Sequence, residues 1–522
     1  MSASVRTGPE PAPAAPSGAR IALGTMIAAC LAVCLGQIGL AIPATLNGLF
    51  QEHLHPVGSQ LTWISDAFLL PVTVLELTFG VLGDLFGRKR LLVSGALLLG
   101  VGEVVAASSD GVHQLWVGQA LAGLGAAALF PTSLAMIAAG SGGHHERTRA
   151  VAFWAASLSA GGALAPALGG LTGNYGSWRW SFVVVAFAAG ISALISWFFA
   201  TDSSAPEGRS LDVGGQLTIG VGLFALLYGV IQGPTDGWTA TPVLTAFIVA
   251  AAFIALFVAA ELRARSPLLH LNLFGNRAFA IASLIAVVGM FSFLGTAYSV
   301  SIRLGPTQHQ SPLRTSVAFL LLNGITPVLM PITSRLMARV AGRWILTLGL
   351  ALMAAGDFAA ATLPVDDKTL TALVLPLALV GTGFAFTVSS ITATAVNTVP
   401  VRLAGMASAS INLLRDFGFT LGPAVIGAIA LSRAGSLFSK SLAASSLAPA
   451  AKAAAGHVAA EGGPLAVNSV PPASPPGAAG PLALHALGDG YSLGFVVCGC
   501  AALASCLLAL LALRGGAAQA DE

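Results

Sequence analysis

Residues 80–90 read Gly80-Val81-Leu82-Gly83-Asp84-Leu85-Phe86-Gly87-Arg88-Lys89-Arg90, where one very apolar segment stops and another starts. A carboxylate and three cations share a loop of a few residues. Charge at that density is too costly in hydrocarbon, so the loop must be a tight aqueous hairpin between two membrane spans. Its positive sign bears on which side of the membrane it faces.

The rest of the chain agrees that lipid is its solvent. Of 522 residues, 56% are hydrophobic and 9% charged, and the mean hydropathy is +0.84. A soluble domain carries about 25% charged residues. The net charge of +3 comes without a basic stripe interleaved with aromatics, which argues against nucleic acid as a partner. Cys30, Cys34, Cys498, Cys500 and Cys506 all fall in apolar runs, so they read as small packing residues rather than disulfides or metal ligands. Neither a metal nor a cofactor is expected.

A span needs about 20 mainly apolar residues. Fourteen segments qualify: 21–43, 60–83, 90–108, 113–138, 150–172, 180–200, 213–232, 241–261, 278–300, 314–337, 344–363, 369–391, 405–431 and 489–513. The first is too long for a signal-peptide core and reads as a retained span. Residues 1–20 and 514–522 read as tails, the former disordered. The stretch 432–488, rich in Ala, Pro, Ser and Gly, reads as a flexible loop without a core of its own. With the N-terminus in the cytoplasm, sixteen of the 24 cations lie inside and seven outside, Arg415 remaining within a span. That asymmetry favours both termini inside.

The chain also repeats. Gly80–Arg88 aligns with Arg335–Arg343 at an offset of 255, and Gly161, Pro166 and Gly170 align with Gly418, Pro423 and Gly427 at an offset of 257. The expected architecture is therefore an all-α membrane protein with two parallel six-helix halves, 21–200 and 278–513. Two inserted helices and their connections occupy 201–277. Parallel halves around a central site are one way in which transporters are built.

Within the hairpin, Gly80 and Gly83 would let a neighbouring helix approach. Asp84 could accept from the free N–H groups of a helix start. Arg88 and Lys89 could pair with Asp84 or with anionic lipid. A gate that breaks and re-forms as helices rock fits this cluster; so does a loop that only fixes topology.

The Gly-x-x-x-Asp-x-x-Gly-Arg-Lys spacing resembles the signature loop of the major facilitator superfamily, and it matches at every usual position. Span 5, with Gly161, Gly162, Pro166, Gly169 and Gly170, is similar to the antiporter motif of drug exporters, with Ala165 where a Gly usually precedes the Pro. Ser177–Phe182, Leu211–Gly215, Ser266–Leu269 and Asn412-x-x-Arg415-x-x-Gly418 resemble the fourteen-helix drug:proton antiporter branch. The resemblance covers the chain from about residue 20 onward. It implies a multi-pass transporter of the cell (inner) membrane and not an enzyme. It implies export of an amphipathic drug, toxin or natural product by a monomer, with the proton gradient as energy source and alternating access as mechanism. Two positions depart from the family pattern: Cys34 where an Asp is frequent, and Gln119 where an Arg linked to proton coupling is usual. They keep a non-proton-coupled metabolite exporter open as an alternative, beside a transport-inactive sensor.

Ionisable residues within spans face the bundle interior or water. Asp66 lies about 9 Å below the outer end of span 2 and is a substrate or proton candidate, or else a vestibule residue in contact with water. Glu76 shares a stripe with Gly80 and Asp84 and reads equally as functional or as helix packing. Glu103 and Asp357, near outer span ends, read as solvated. Arg415 and Asp416 sit about 15 Å into span 13. Neighbours in sequence do not face each other on a helix, so each needs a partner from another helix or a hydrated cavity. Arg415 is expected to be structural or gating, and Asp416 a coupling carboxylate. Phe68, Phe79, Phe130, Trp154 and Met290 could line an apolar pocket or merely pack. All nine histidines lie in loops or at span edges, and no Gly-x(4)-Gly-Lys-[Ser/Thr] phosphate loop exists. No nucleophile–base constellation suggests catalysis.

Overall fold

The computed structural model describes residues 21–142, 144–205, 211–264, 267–400 and 403–513. The two tails, and Ser266 of the motif after span 8, lie outside the described residues. All regular structure among the described residues is helical. In chain order the helices are α1 (Leu23–Ala41), α2 (Pro43–Leu54), α3 (Gln60–Phe86), α4 (Arg88–Ala107), α5 (Val112–Gly140) and α6 (His144–Tyr175). There follow α7 (Arg179–Phe199), α8 (Val213–Asp236), α9 (Thr241–Glu261), α10 (Arg277–Ile302), α11 (Pro312–Asn323) and α12 (Ile325–Met337). The last are α13 (Gly342–Ala361), α14 (Leu370–Val396), α15 (Ala404–Ala444), α16 (Pro449–Ser469) and α17 (Gly480–Ala512). Fourteen segments are long and apolar enough to cross a membrane, matching the fourteen expected. Pro43 opens a new helix just beyond the first span, because it has no N–H to continue the ladder. The tenth span is α11 and α12, broken at Gly324.

Helices in lipid gain nothing by hiding apolar faces from one another, so they associate through close packing. Here the closest approaches are made by glycines against backbone. A Cβ on Gly123 of α5 would overlap the Phe68 carbonyl of α3, and one on Gly381 of α14 would overlap the Leu321 carbonyl of α11. A Cβ on Gly161 of α6 would lie 2.5 Å from the Cys34 carbonyl of α1. The same clash arises between Gly418 of α15 and the Val287 carbonyl of α10. Gly102 and Gly125 fit α4 onto α5 as Gly356 and Gly383 fit α13 onto α14. Members of each pair of contacts are separated by about 255 residues, so the sequence repeat is a repeat of helix seams.

We use "hairpin side" for the end of the bundle carrying the α3–α4 turn and "far side" for the other. The inserted helices α8 and α9 pair with each other, and α8 packs on both α3 and α15. It therefore touches both halves.

The reading of 432–488 as a flexible loop is corrected by the structure. At 41 residues, α15 is about 60 Å long, twice the hydrocarbon thickness, and its last turns project beyond the far side. There Phe438 and Leu442 pack with Ala455 and Val467 of α16 and with Ala479, Ala483 and Ala486 at the start of α17. This cap has its own small core. Alanine has the highest helix propensity, so an Ala-rich stretch that looks low in complexity can still form packed helices. α16 is broken at Gly463, whose φ of 70° favours glycine. On one side of the break the Gly462 carbonyl accepts from Gly58 N–H of the first half. On the other, Asn468 Nδ2 donates to the Pro306 and Thr307 carbonyls of the second half at 3.1 and 3.0 Å.

The seams predict a symmetric sensitivity. Gly102→Val and Gly356→Val should each destabilise the protein by about 1–3 kcal/mol through overpacking, read as a lower thermal midpoint in detergent. Gly190→Val, where a Cβ meets nothing within 4 Å, should leave the midpoint unchanged.

Candidate functional site

The hairpin is tied down on three sides. Arg88 donates to Asp84 from Nε at 3.0 Å and from Nη2 at 2.7 Å. Its Nη1 reaches the Ala135 carbonyl and Ser203 Oγ at 3.4 and 3.3 Å. The free N–H of Lys89 at the start of α4 is satisfied by Asp202 at 3.1 Å, from the segment after α7. Gly87 adopts φ 101°, and a Cβ there would also lie 3.1 Å from the Asp202 carboxylate. Gly80 and Gly83 make only ordinary van der Waals contacts, so the close helix approach expected of them is not found. Gly87 is the glycine that the turn requires.

The glycines of the antiporter-like helix form two seams. Gly161 and Gly169 of α6 lie against α1 and Thr45 at the start of α2, while Gly170 lies against Ser316 of α11 in the other half. Gly162 meets only the Gln37 side chain at 3.8 Å, and Pro166 is buried within α6. The Gly170–Ser316 contact has a counterpart with the halves exchanged, where Gly427 of α15 meets Thr62 of α3.

These contacts belong to a seal across the far side. Thr62 Oγ1 and Tyr298 OH are 2.7 Å apart. Asn47 Nδ2 donates to Ser301 Oγ at 2.9 Å. Gly48 is so close to Gly305 that a Cβ would lie 3.0 Å from its Cα. Thr73 and Thr420 hydroxyls meet at 2.6 Å. On the hairpin side, by contrast, the halves part around a cavity of about 1070 Å³ reached by Asp84, Arg88, Arg147, Asp212, His270 and Ser408. A smaller cavity of about 280 Å³ continues it toward the far side. Glu76, Phe130, Leu134, Trp154 and Asn412 line both. Its walls are aromatic: Phe293 and Phe384 stack with centroids 3.5 Å apart, Phe419 lies 6.4 Å from Phe384, and Phe319 adds to them.

Glu76 from the first half and Arg415 and Asp416 from the second meet in this smaller cavity. The Glu76 and Asp416 side chains hydrogen-bond to each other. Ionised carboxylates only accept, so that contact requires a proton. The Arg415 guanidinium lies within electrostatic reach of both acids and donates from Nη1 to Asn412 Oδ1 at 3.4 Å. Its Nε is buried without an acceptor. Glu76 thus belongs to the cavity rather than to helix packing.

Asp66 stands apart from this group. It is fully buried, neither oxygen has a hydrogen-bond partner, and it is not among the cavity-lining residues. It lies within electrostatic reach of the Tyr298 phenol at the seal, and at 0% exposure it has no water-filled vestibule around it in this arrangement. Glu103 and Asp357 are also fully buried, against the expectation that span ends would solvate them. Asp357 accepts from Thr296 at 2.6 Å and Ser292 at 3.4 Å, whereas Glu103 lies against Gly39 with both oxygens unpaired. Distance from a helix end misled here, because neighbouring helices cover those turns, α5 and α7 over α4 and α14 and α17 over α13. Gln119 is likewise buried, with neither its Oε1 nor its Nε2 hydrogen-bonded. Among the aromatic candidates, Phe130 and Trp154 line the cavity, while Phe68 and Met290 are core and Phe79 packs against it. Gln37, Asn47, Asn323 and Tyr298 also line the cavity. The signal for them was a polar side chain inside an apolar run.

Residues 26–423 match the model of the Major Facilitator Superfamily. The chain is 30% identical over 370 residues to the multidrug resistance protein Stp of Mycobacterium tuberculosis, covering 71% of this chain and 68% of that protein. It is 29% identical over 508 residues to the tetracenomycin C resistance and export protein of Streptomyces glaucescens, covering 95% and 92%. Among solved structures, a bacterial homologue of the human lysosomal transporter Spinster, in an inward-facing and unoccupied conformation, superposes with a TM-score of 0.67. At 15% identity, covering 94% of this chain and 96% of that one, it bears on the fold alone.

The hairpin geometry separates its glycines. Gly87→Ala should cost about 1–3 kcal/mol of strain and lower the yield of folded protein. Gly80→Ala should stay within about 0.5 kcal/mol of the parent. Thermal midpoints of the two purified variants check this, and equal losses would contradict it.

Proposed function

The chain belongs to the Major Facilitator Superfamily, and on that premise we propose that it exports small amphipathic drugs or natural products in exchange for protons. The observation that carries this reading is the meeting of Glu76 with Arg415 and Asp416 across the two halves, inside an aromatic cavity. The aromatic walls suit the apolar body of a substrate. The acidic pair suits either a proton or the polar end of that substrate. The names of the relatives, a multidrug resistance protein and an antibiotic exporter, point to the same substrate class.

The Lys/Arg asymmetry supports a cytoplasmic hairpin side. The far-side seal and hairpin-side cavity then correspond to an inward-facing state of a single chain acting as a monomer. Substrate enters from the cytoplasm and displaces the proton held between Glu76 and Asp416. The halves rock about the Gly170 and Gly427 contacts, and the cavity opens outward. Substrate leaves and a proton returns. Each proton moving inward gains about 2.3 kcal/mol per 100 mV of membrane potential. Asp66, beside Tyr298 in the seal, is the second candidate proton carrier on that route. The Asp84–Arg88 pair is suited to hold the inward-facing arrangement of the hairpin.

The test is a susceptibility and efflux panel in a pump-deficient host, followed by flux in proteoliposomes under an imposed pH gradient. Wild type should confer resistance to several amphipathic compounds and respond to the gradient. Glu76→Gln and Asp416→Asn should each lower gradient-driven flux by about tenfold or more, a loss of about 1.4 kcal/mol, while retaining substrate counterflow. Asp66→Asn should alter the pH dependence of export. Flux indifferent to a collapsed gradient would favour a non-proton-coupled exporter, the reading suggested by Gln119. No flux of any compound would favour a sensor.

A further inference from the structure

The inserted helices carry a second acidic pair that plays no part in the mechanism above. Asp212 caps α8, and its Oδ1 accepts from Gly215 N–H at 2.8 Å. Glu261 ends α9, and its Oε2 accepts from Leu269 N–H at 3.0 Å, in the connection that follows. Each carboxyl therefore spends one oxygen on backbone. The two remaining oxygens, Asp212 Oδ2 and Glu261 Oε1, are buried and have no donor. They converge over Gly215, where a Cβ would lie 2.5 Å from the first and 2.6 Å from the second. The two carboxyl groups lie within hydrogen-bond reach of each other, and Glu261 is only 4% exposed.

We infer that Asp212 and Glu261 form a second protonation site, holding one proton between Oδ2 and Oε1. Two facing acceptors need a donor, and two buried like charges without one would repel. No group of three or more acidic, His or Cys residues suited to a metal ion occurs among the described residues. Two oxygens alone are too few for a dedicated Ca²⁺ or Mg²⁺ cage. A proton satisfies both oxygens at once.

Its position gives the site a consequence. Asp212, Leu211, Pro267, Leu268 and His270 border the large hairpin-side cavity, so the proton is near bulk water. One residue beyond Gly215, Gln216 Nε2 donates to the Val74 carbonyl of α3, and its Oε1 accepts from Thr78 Oγ1. Val74 and Thr78 flank Glu76. Loss of the proton would push the start of α8 from the end of α9, and Gln216 would pass that displacement to the helix carrying Glu76. The other ionisable groups around this cavity are Glu76 and Asp84 on α3, Arg88 on α4, Arg147 on α6 and His270 on the connection. Arg263 also lies on that connection, immediately after α9. Asp212 and Glu261 make no ion pair with any described residue.

The inference does not depend on proton-driven export, because its primary test needs no substrate. Infrared difference spectra of the full chain in lipid nanodiscs, between mildly acidic and mildly alkaline buffer, should contain a protonated-carboxyl carbonyl band. Part of that band should disappear in Glu261→Gln and in Asp212→Asn and persist in Glu76→Gln. Asn at 212 can still cap α8, so this variant keeps the test open if Glu261→Gln folds poorly. The pH profile of efflux should also flatten in Glu261→Gln. A band unchanged in both Asp212→Asn and Glu261→Gln would overturn the inference, as would a wild-type spectrum in which neither substitution removes any titrating carboxyl.

Discussion

Everything in this molecule depends on how closely one helix backbone can approach another. In lipid, side-chain burial gives no preference for helix over solvent, so contact has to be earned by shape. Glycine removes the only atom that would hold two helices apart. The chain uses it where α5 meets α3, α6 meets α1 and α4 meets α5, and again at the corresponding places in the second half. Those seams set each half as a rigid unit. The halves then meet through small hydroxyl and amide side chains at the far side, and through a cavity on the other.

The same scarcity of water governs the charges. A carboxyl group surrounded by helices must find a donor, carry a proton or remain unsatisfied. Asp357 finds hydroxyl donors, Glu76 and Asp416 find each other beside Arg415, and Asp66 and Glu103 have no hydrogen-bond partner in this arrangement. Position rather than residue type decides which outcome applies. Glu103 and Asp357 occupy matching places in the two halves and yet differ in this respect, because Ser292 and Thr296 of α10 have no hydroxyl equivalents at Gly39 of α1 and Pro43 of α2.

Much of this was legible in the residues. Span number follows from hydropathy, and the family follows from the hairpin and the Gly/Pro pattern of α6. The repeat announced itself through Gly161 and Gly418. What could not be read was three-dimensional neighbourhood. Glu76 and Asp416 are 340 positions apart, and nothing local shows that they touch. Gly80 and Gly87 look equivalent as letters, but only one has a backbone angle that excludes other residues. The segment 432–488 looked shapeless because alanine serves both disordered tracts and helices. Its cap became visible only with Phe438 and Leu442 against the Ala-rich faces of α16 and α17.

The far-side seal contains contacts of two kinds, and they differ in how they tolerate change. Gly170 with Ser316 and Gly427 with Thr62 are one contact made twice, with the halves exchanged. Damage to one leaves a duplicate in place, and the two copies have drifted independently to Ser and to Thr. Asn47 with Ser301 is different. No hydrogen bond among the described residues repeats it with the halves exchanged, so it has no spare.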